Sequence, residues 1–157
     1  IPHPDIQYVA GIEKSFLGIT TIVQYIGKYT LDYSELVLPV LTDSLNPLAQ
    51  MQYTADMVNY SSAQFNRKIF RQQEELNHAV SLTLNKSFAY DTWNIEFTAF
   101  YDITSQEYLL RPKLSWKITD ALTATAGCSY MNGPDESLFG YSGKVLSGAF
   151  GELKVNF

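Results

Sequence analysis

The sequence predicts an all-β fold, an antiparallel transmembrane β-barrel segment of about seven strands. Three observations predict it: apolar and polar residues alternate along successive runs, most runs are long for strands, and the connections between them alternate short and long. In a membrane wall the apolar set faces lipid and the polar set faces a wet lumen, so charged residues survive at every second position. The last run has this form, with Leu153, Val155 and Phe157 pointing one way and Glu152, Lys154 and Asn156 the other.

The first strand is predicted from about Ile6 to Phe16 and the second from Ile19 to Tyr33, joined by the tight Leu17-Gly18 connection. The third covers Leu76 to Phe88, the fourth Trp93 to Thr104, and the fifth Leu109 to Ile118. The sixth runs from Leu122 to Asn132 and the seventh from Leu146 to Phe157. Most reach ten residues or more, whereas an average soluble strand has about 5 to 6 and a tilted membrane strand about 9 to 11. Length therefore favours a membrane.

Alternation is cleanest in the fourth and fifth strands. Trp93, Ile95, Phe97, Ala99, Tyr101 and Ile103 form one face of the fourth, and Leu110, Pro112, Leu114, Trp116 and Ile118 one face of the fifth. Val80, Leu82 and Leu84 continue the rule in the third, as do Leu122, Ala124, Ala126 and Tyr130 in the sixth. The first two strands are noisier, because Val9, Ile22 and Ile26 fall on the polar side. Pro112 lacks a ladder donor, so a bulge is expected there.

Leu17-Gly18, Ala89 to Thr92 and Thr119 to Ala121 are tight connections; 34–75 and 133–145 are long, and 105–108 alone breaks the rule by being short. Bacterial barrels place short turns in the periplasm and longer loops outside. With Phe157 at the periplasmic side, the first strand enters from the outside, and strands upstream of this chain are expected to complete one barrel domain to which all of 1–157 belongs. Lys14-Ser15-Phe16 and Lys86-Ser87-Phe88 each put Phe at an interface, with a lysine on the apolar face whose stem reaches toward headgroups.

The loop 34–75 holds the apolar run Leu36, Val37, Leu38, Val40, Leu41 and Leu45, so it is expected to fold over or into the barrel mouth. Asn46-Pro47 reads as a helix cap and first turn, which predicts a short helix from Pro47 toward Met57 with Leu48, Met51 and Ala55 on one side.

Bulk properties exclude several classes. Hydrophobic residues make up 46% of the 157, but no apolar run approaches the 20 or so residues of a membrane helix. Net charge is −5 and the eleven Lys and Arg are scattered, so nucleic acid is not an expected partner. Twenty-two Tyr, Phe and Trp suit interfacial belts. One cysteine, Cys128, allows neither an internal disulfide nor a cysteine-based zinc site; it falls on the apolar face as a small hydrophobe.

The ending Phe150-Gly-Glu-Leu-Lys-Val-Asn-Phe157 resembles the C-terminal insertion signal of Gram-negative outer-membrane proteins, carried by Leu153, Val155 and the final aromatic Phe157. Its glycine, Gly151, stands six residues before that aromatic where the usual pattern has five. Phe65-Asn66-Arg67, the stretch Tyr108 to Trp116 and the stretch Gly133 to Gly140 are similar to C-terminal halves of large porin-like proteins. This resemblance covers residues 65–157 and implies a bacterial outer-membrane location. The partners it implies are outer-membrane lipid, the missing N-terminal strands, the barrel-assembly machinery, and other copies or other outer-membrane subunits.

Catalytic constellations are nearly absent from the sequence pattern, and neither an enzyme, a cofactor nor a metal is expected. His78 has Val80 two places along its face, and Ser81 points the other way, so the His and Ser arrangement of an outer-membrane phospholipase is not met. Gly140 to Lys144 lacks the spacer of a phosphate loop. Asp135 and Glu136 read as a turn before they read as a weak calcium site. The functional candidates are luminal charges: Lys28, Arg111, Lys113, Lys117 and Lys154 against Glu13, Asp32, Glu96, Asp102 and Glu152. If Asp102 meets Arg111 across the fourth and fifth strands, Glu96 meets Lys117 and Lys113 is the free cation. The expected function is a porin-like channel for small polar or charged solutes. A structural or receptor barrel that encloses a partner is the alternative, followed by a soluble ligand-binding β-barrel.

Overall fold

A computed structural model of the chain describes residues 3–135 and 137–156; Phe157, the final aromatic of the insertion signal, lies outside them. Seven strands form an open antiparallel sheet in sequence order: β1 (Asp5–Phe16), β2 (Ile19–Thr30), β3 (Leu76–Phe88), β4 (Trp93–Asp102), β5 (Glu107–Lys117), β6 (Leu122–Asn132) and β7 (Gly148–Val155). Two helices lie in the connections, α1 (Pro47–Ile69) and α2 (Leu138–Leu146). The protein is all-β in its framework, and β1 and β7 are the edges of the sheet. It divides into two compact units, one of Ile1–Ile6 with Lys28–Asn77 and one of Gln7–Gly27 with His78–Phe157.

In the second unit the register is continuous from β3 to β7. Leu82 faces Ala99, Ala99 faces Leu110, Leu114 faces Ala126 and Ala124 faces Leu153, so every apolar position found by alternation falls on one face. Trp93 and Trp116 are directly opposed, with rings stacked 5.1 Å apart, and Phe88 stacks on Trp93 at 6.5 Å. Eight residues along, Tyr101 opposes Tyr108, whose ring is 6.0 Å from that of Tyr130. Lys86 sits on this same face opposite Ile95.

No bulge forms at Pro112. It pairs in register with Phe97 on the β4 side, and on the β6 side pairing skips Arg111 and Pro112 and resumes at Lys113 and Gly127 in the same register. The missing donor interrupts the ladder without inserting a residue.

The seventh strand is shorter than expected, because Leu146 ends a helix instead of beginning a strand. Residues 133–145, expected as a loop, contain most of α2. Ser137 caps it by accepting a hydrogen bond from Gly140 N at 3.0 Å, and Glu107 of β5 accepts one from Phe139 N at 2.6 Å. Phe139 meets Phe100 edge-on at 6.1 Å. Since Phe100, Glu107 and Met131 belong to the polar face by register, α2 lies against that face. Gly143 makes this approach feasible, for a Cβ there would stand 2.2 Å from Met131 O.

In the first unit α1 is 23 residues long, well beyond the expected end near Met57. Its start is as anticipated: Asn46 accepts from Leu48 N at 3.0 Å with Pro47 in the first turn. Thr54 and Ser61 carry on the helix by donating to Gln50 O and Met57 O, at 2.9 and 2.8 Å, which satisfies hydroxyls that otherwise compete with the helical ladder. Arg67 and Lys68 in the last turn suit the negative end of the helix dipole. Leu48 and Met51 project from one side as expected and are exposed, as are Val37, Val40 and Leu45 before the helix.

Substituting Gly143 by Ala is expected to lift α2 from the sheet, because the obstacle is backbone and cannot rotate away. Overpacking of this kind costs about 1 to 3 kcal/mol. Limited proteolysis should then cut between 138 and 146 in the variant under conditions that leave the wild type intact.

Candidate functional site

The sheet sorts its residues so completely that the charged candidates can be located by register alone. Opposite the apolar face, β4 presents Asn94, Glu96, Thr98, Phe100 and Asp102, and β5 presents Glu107, Leu109, Arg111, Lys113, Ser115 and Lys117. Thr123, Thr125 and Ser129 follow on β6, with Phe150, Glu152 and Lys154 on β7.

The pairing expected across β4 and β5 is displaced. Glu96 faces Lys113, not Lys117, and their charged groups meet at 2.9 Å. Asp102 faces Glu107, while Arg111 faces Thr98. The cause is the turn: it is closed by Asp102, which accepts hydrogen bonds from Thr104 N and Ser105 N at 3.0 and 3.1 Å, so β5 begins at Glu107, two residues before its expected start at Leu109. Lys113 is therefore not the free cation.

The guanidinium of Arg111 instead lies over the ring of Phe150, 5.6 Å from its centroid. Among the described residues no carboxylate pairs with Arg111. Lys117 pairs with Asp120 in the following turn at 2.7 Å, and the ammonium holds the Asp120 carboxyl below its usual range. Glu152 and Lys154 stand opposite Thr125 and Thr123, both exposed. Glu107, among the most buried residues of the chain, is committed to the start of α2.

Lys28 has a different setting from the other candidates. Within the first unit its ammonium meets Asp5 at 2.8 Å and donates to the carbonyl of Phe70. Gln72 ties the same place together, donating to His3 O at 2.6 Å and to Asp5 Oδ2 at 3.0 Å. Nearby, Tyr33 donates to Gln73 O at 2.7 Å, and its phenol is pushed up by burial and by Glu74. This buried polar knot contains charge that is already compensated, so Lys28 serves the fold of its unit.

The remaining sequence candidates find structural roles. His78 stacks on Tyr25 at 5.9 Å and its Nδ1 hydrogen-bonds the Tyr25 hydroxyl, two polar groups satisfying each other on the apolar face. Asp135 pairs with Lys144 at 3.3 Å, and its companion Glu136 lies outside the described residues. Among the described residues no group of three His, Cys, Asp or Glu is placed to hold a metal. Cys128 is half-buried opposite Ala149. Sequence reading undervalued Phe150, although an aromatic at a polar-face position of β7 was the available signal.

No family model, curated protein or solved structure matches this chain. The reading of its function therefore rests on its own geometry.

Replacing Glu96 and Lys113 singly and together should give a coupling of about 0.2 to 1 kcal/mol in a thermal double-mutant cycle, the range of a partly exposed cross-strand pair. Asp120 gives a signed pH effect. Its folded pKa is depressed, so its contribution is present above the unfolded value and is lost as pH falls through the folded one. Lys117→Met should move the Asp120 titration upward in a carboxyl NMR experiment.

Proposed function

We propose that this chain forms part of the wall of a bacterial outer-membrane β-barrel of porin type, a channel for small polar or charged solutes. The observation that carries the reading is the inversion of burial. Ala79 is the only buried hydrophobic side chain among the described residues, whereas Lys28, Thr30, Gln72, Asn77, Asp102, Glu107 and Ser137 are buried. On the continuous apolar face Ile95 is 46% exposed, Trp116 41% and Leu153 73%. A soluble chain of this size normally covers such a surface, since apolar burial supplies most of its stability.

The borders of that face support a bilayer. A Trp row and a Tyr row are separated by eight residues in both β4 and β5. At about 3.3 Å per residue they lie about 26 Å apart along the strand. A tilt of roughly 40° reduces this to about 20 Å, near the apolar band of about 25 Å between aromatic girdles. Lys86 near the Trp border can carry its ammonium to the headgroups.

The open edges support the partners this reading needs. In hydrocarbon the unpaired backbone groups of β1 and β7 must be satisfied, so further strands close the barrel, and the barrel-assembly machinery would read Leu153 and Val155 as part of the insertion signal. The soluble ligand-binding alternative needs the apolar face inward, yet α2 folds against the polar face and leaves the Trp and Tyr face bare.

Brominated acyl chains test the reading directly. In proteoliposomes, Trp93 and Trp116 fluorescence should be strongly quenched by lipids brominated near the headgroup end of the chain, and the protein should leave native membranes only with detergent. Release by salt or alkali, with unquenched tryptophan, would overturn it. A receptor or structural barrel would pass both measurements and show no conductance in planar bilayers.

A further inference from the structure

We propose that Arg111 is an anion-selecting contact of the channel, held in place by Phe150 and directed at small oxyanions such as carboxylates and phosphate. The inference rests on the channel reading, and within it distinguishes one cation from the others on the polar face.

Each neighbouring cation on β5 is already committed. Lys113 is bound by Glu96 at 2.9 Å and Lys117 by Asp120 at 2.7 Å. A paired ammonium presents little net field to a passing ion. Arg111 has an aromatic ring as its contact, and among the described residues no carboxylate forms an ion pair with it.

Its placement is prepared by three strands. Gly127 of β6 faces Phe150 of β7, and a Cβ at Gly127 would stand 2.7 Å from the Phe150 ring and 2.8 Å from Pro112 O. The ring thus occupies the space a side chain at 127 would take. Arg111 of β5 then rests over this ring at 5.6 Å. The ring carries no oxygen or nitrogen acceptor, so the contact leaves the guanidinium N–H groups for an oxyanion, which they can meet through two parallel hydrogen bonds. Thr98 stands directly opposite Arg111 on β4 and Ser129 lies on the same face of β6, so hydroxyl donors flank the cation. Glu152, two places beyond Phe150 on β7, is the nearby exposed carboxylate on that face and sits opposite Thr125.

The test is ion selectivity of the full-length protein in planar bilayers under a salt gradient, with chloride, acetate and phosphate as the anions. Wild type should prefer anions. Arg111→Gln should lower the anion-to-cation permeability ratio about four-fold, since one unit charge at about 10 Å in water favours an anion about two-fold and disfavours a cation about two-fold. The double variant Glu96→Gln with Lys113→Gln should leave it near the wild-type value, because the ion pair it removes carries no net charge. Arg111→Lys keeps the charge and should keep chloride preference while losing the added preference for acetate and phosphate. Phe150→Leu, which leaves every charge in place, should reduce that same oxyanion preference. Conducting Arg111 and Phe150 variants with wild-type ratios would overturn the inference and leave the channel standing. Absence of conductance in the wild type would remove both.

Discussion

The structure depends on a strand register held without a slip from β3 to β7. Because side chains alternate with a period of two, displacing any strand by one residue would exchange its two faces and set Arg111 or Lys113 among Trp93, Leu114 and Trp116. Cross-strand aromatic stacking between Trp93 and Trp116 favours the observed alignment, as does the Glu96 and Lys113 ion pair on the reverse side. The two interactions occupy opposite faces of the same pair of strands, so a slip would lose both.

From this register follows a division of labour between the faces. One carries almost uninterrupted hydrocarbon between a tryptophan row and a tyrosine row, and the few polar groups on it, such as Tyr25 and His78, satisfy each other. The other carries the charges, and most of these are assigned to the wall: Glu96 to Lys113, Lys117 to Asp120, Glu107 to the start of α2. Arg111 stands apart because its partner is the Phe150 ring. Arg111 is therefore the exception among the β5 cations, the other two being held in ion pairs.

The parts of the fold that were legible in the sequence are those governed by local alternation. β3 and β6 begin and end at the expected residues, and β1, β2, β4 and β5 differ by a few positions at one or both ends. The cap of α1 at Asn46 and Pro47 was legible for the same reason, being a matter of neighbouring residues. The far end of α1 was not, because Asn59, Ser61 and Ser62 carry weak helix propensity and only their placement within the helix settles it. α2 was hidden more deeply: Gly140 and Gly143 disfavour an isolated helix, and the strand backbone at Met131 that Gly143 accommodates is not visible as a local pattern.

Sequence by itself determined which residues share a face, because facing depends only on parity along a strand. It also determined that no segment is apolar enough to be a membrane helix. Tertiary structure decided which residue on one strand meets which on the next, since that depends on where each turn closes; the Asp102 turn moved Glu96 from Lys117 to Lys113. It likewise decided that Arg111 would rest on Phe150, a contact across 39 positions that exists only once β5, β6 and β7 lie side by side.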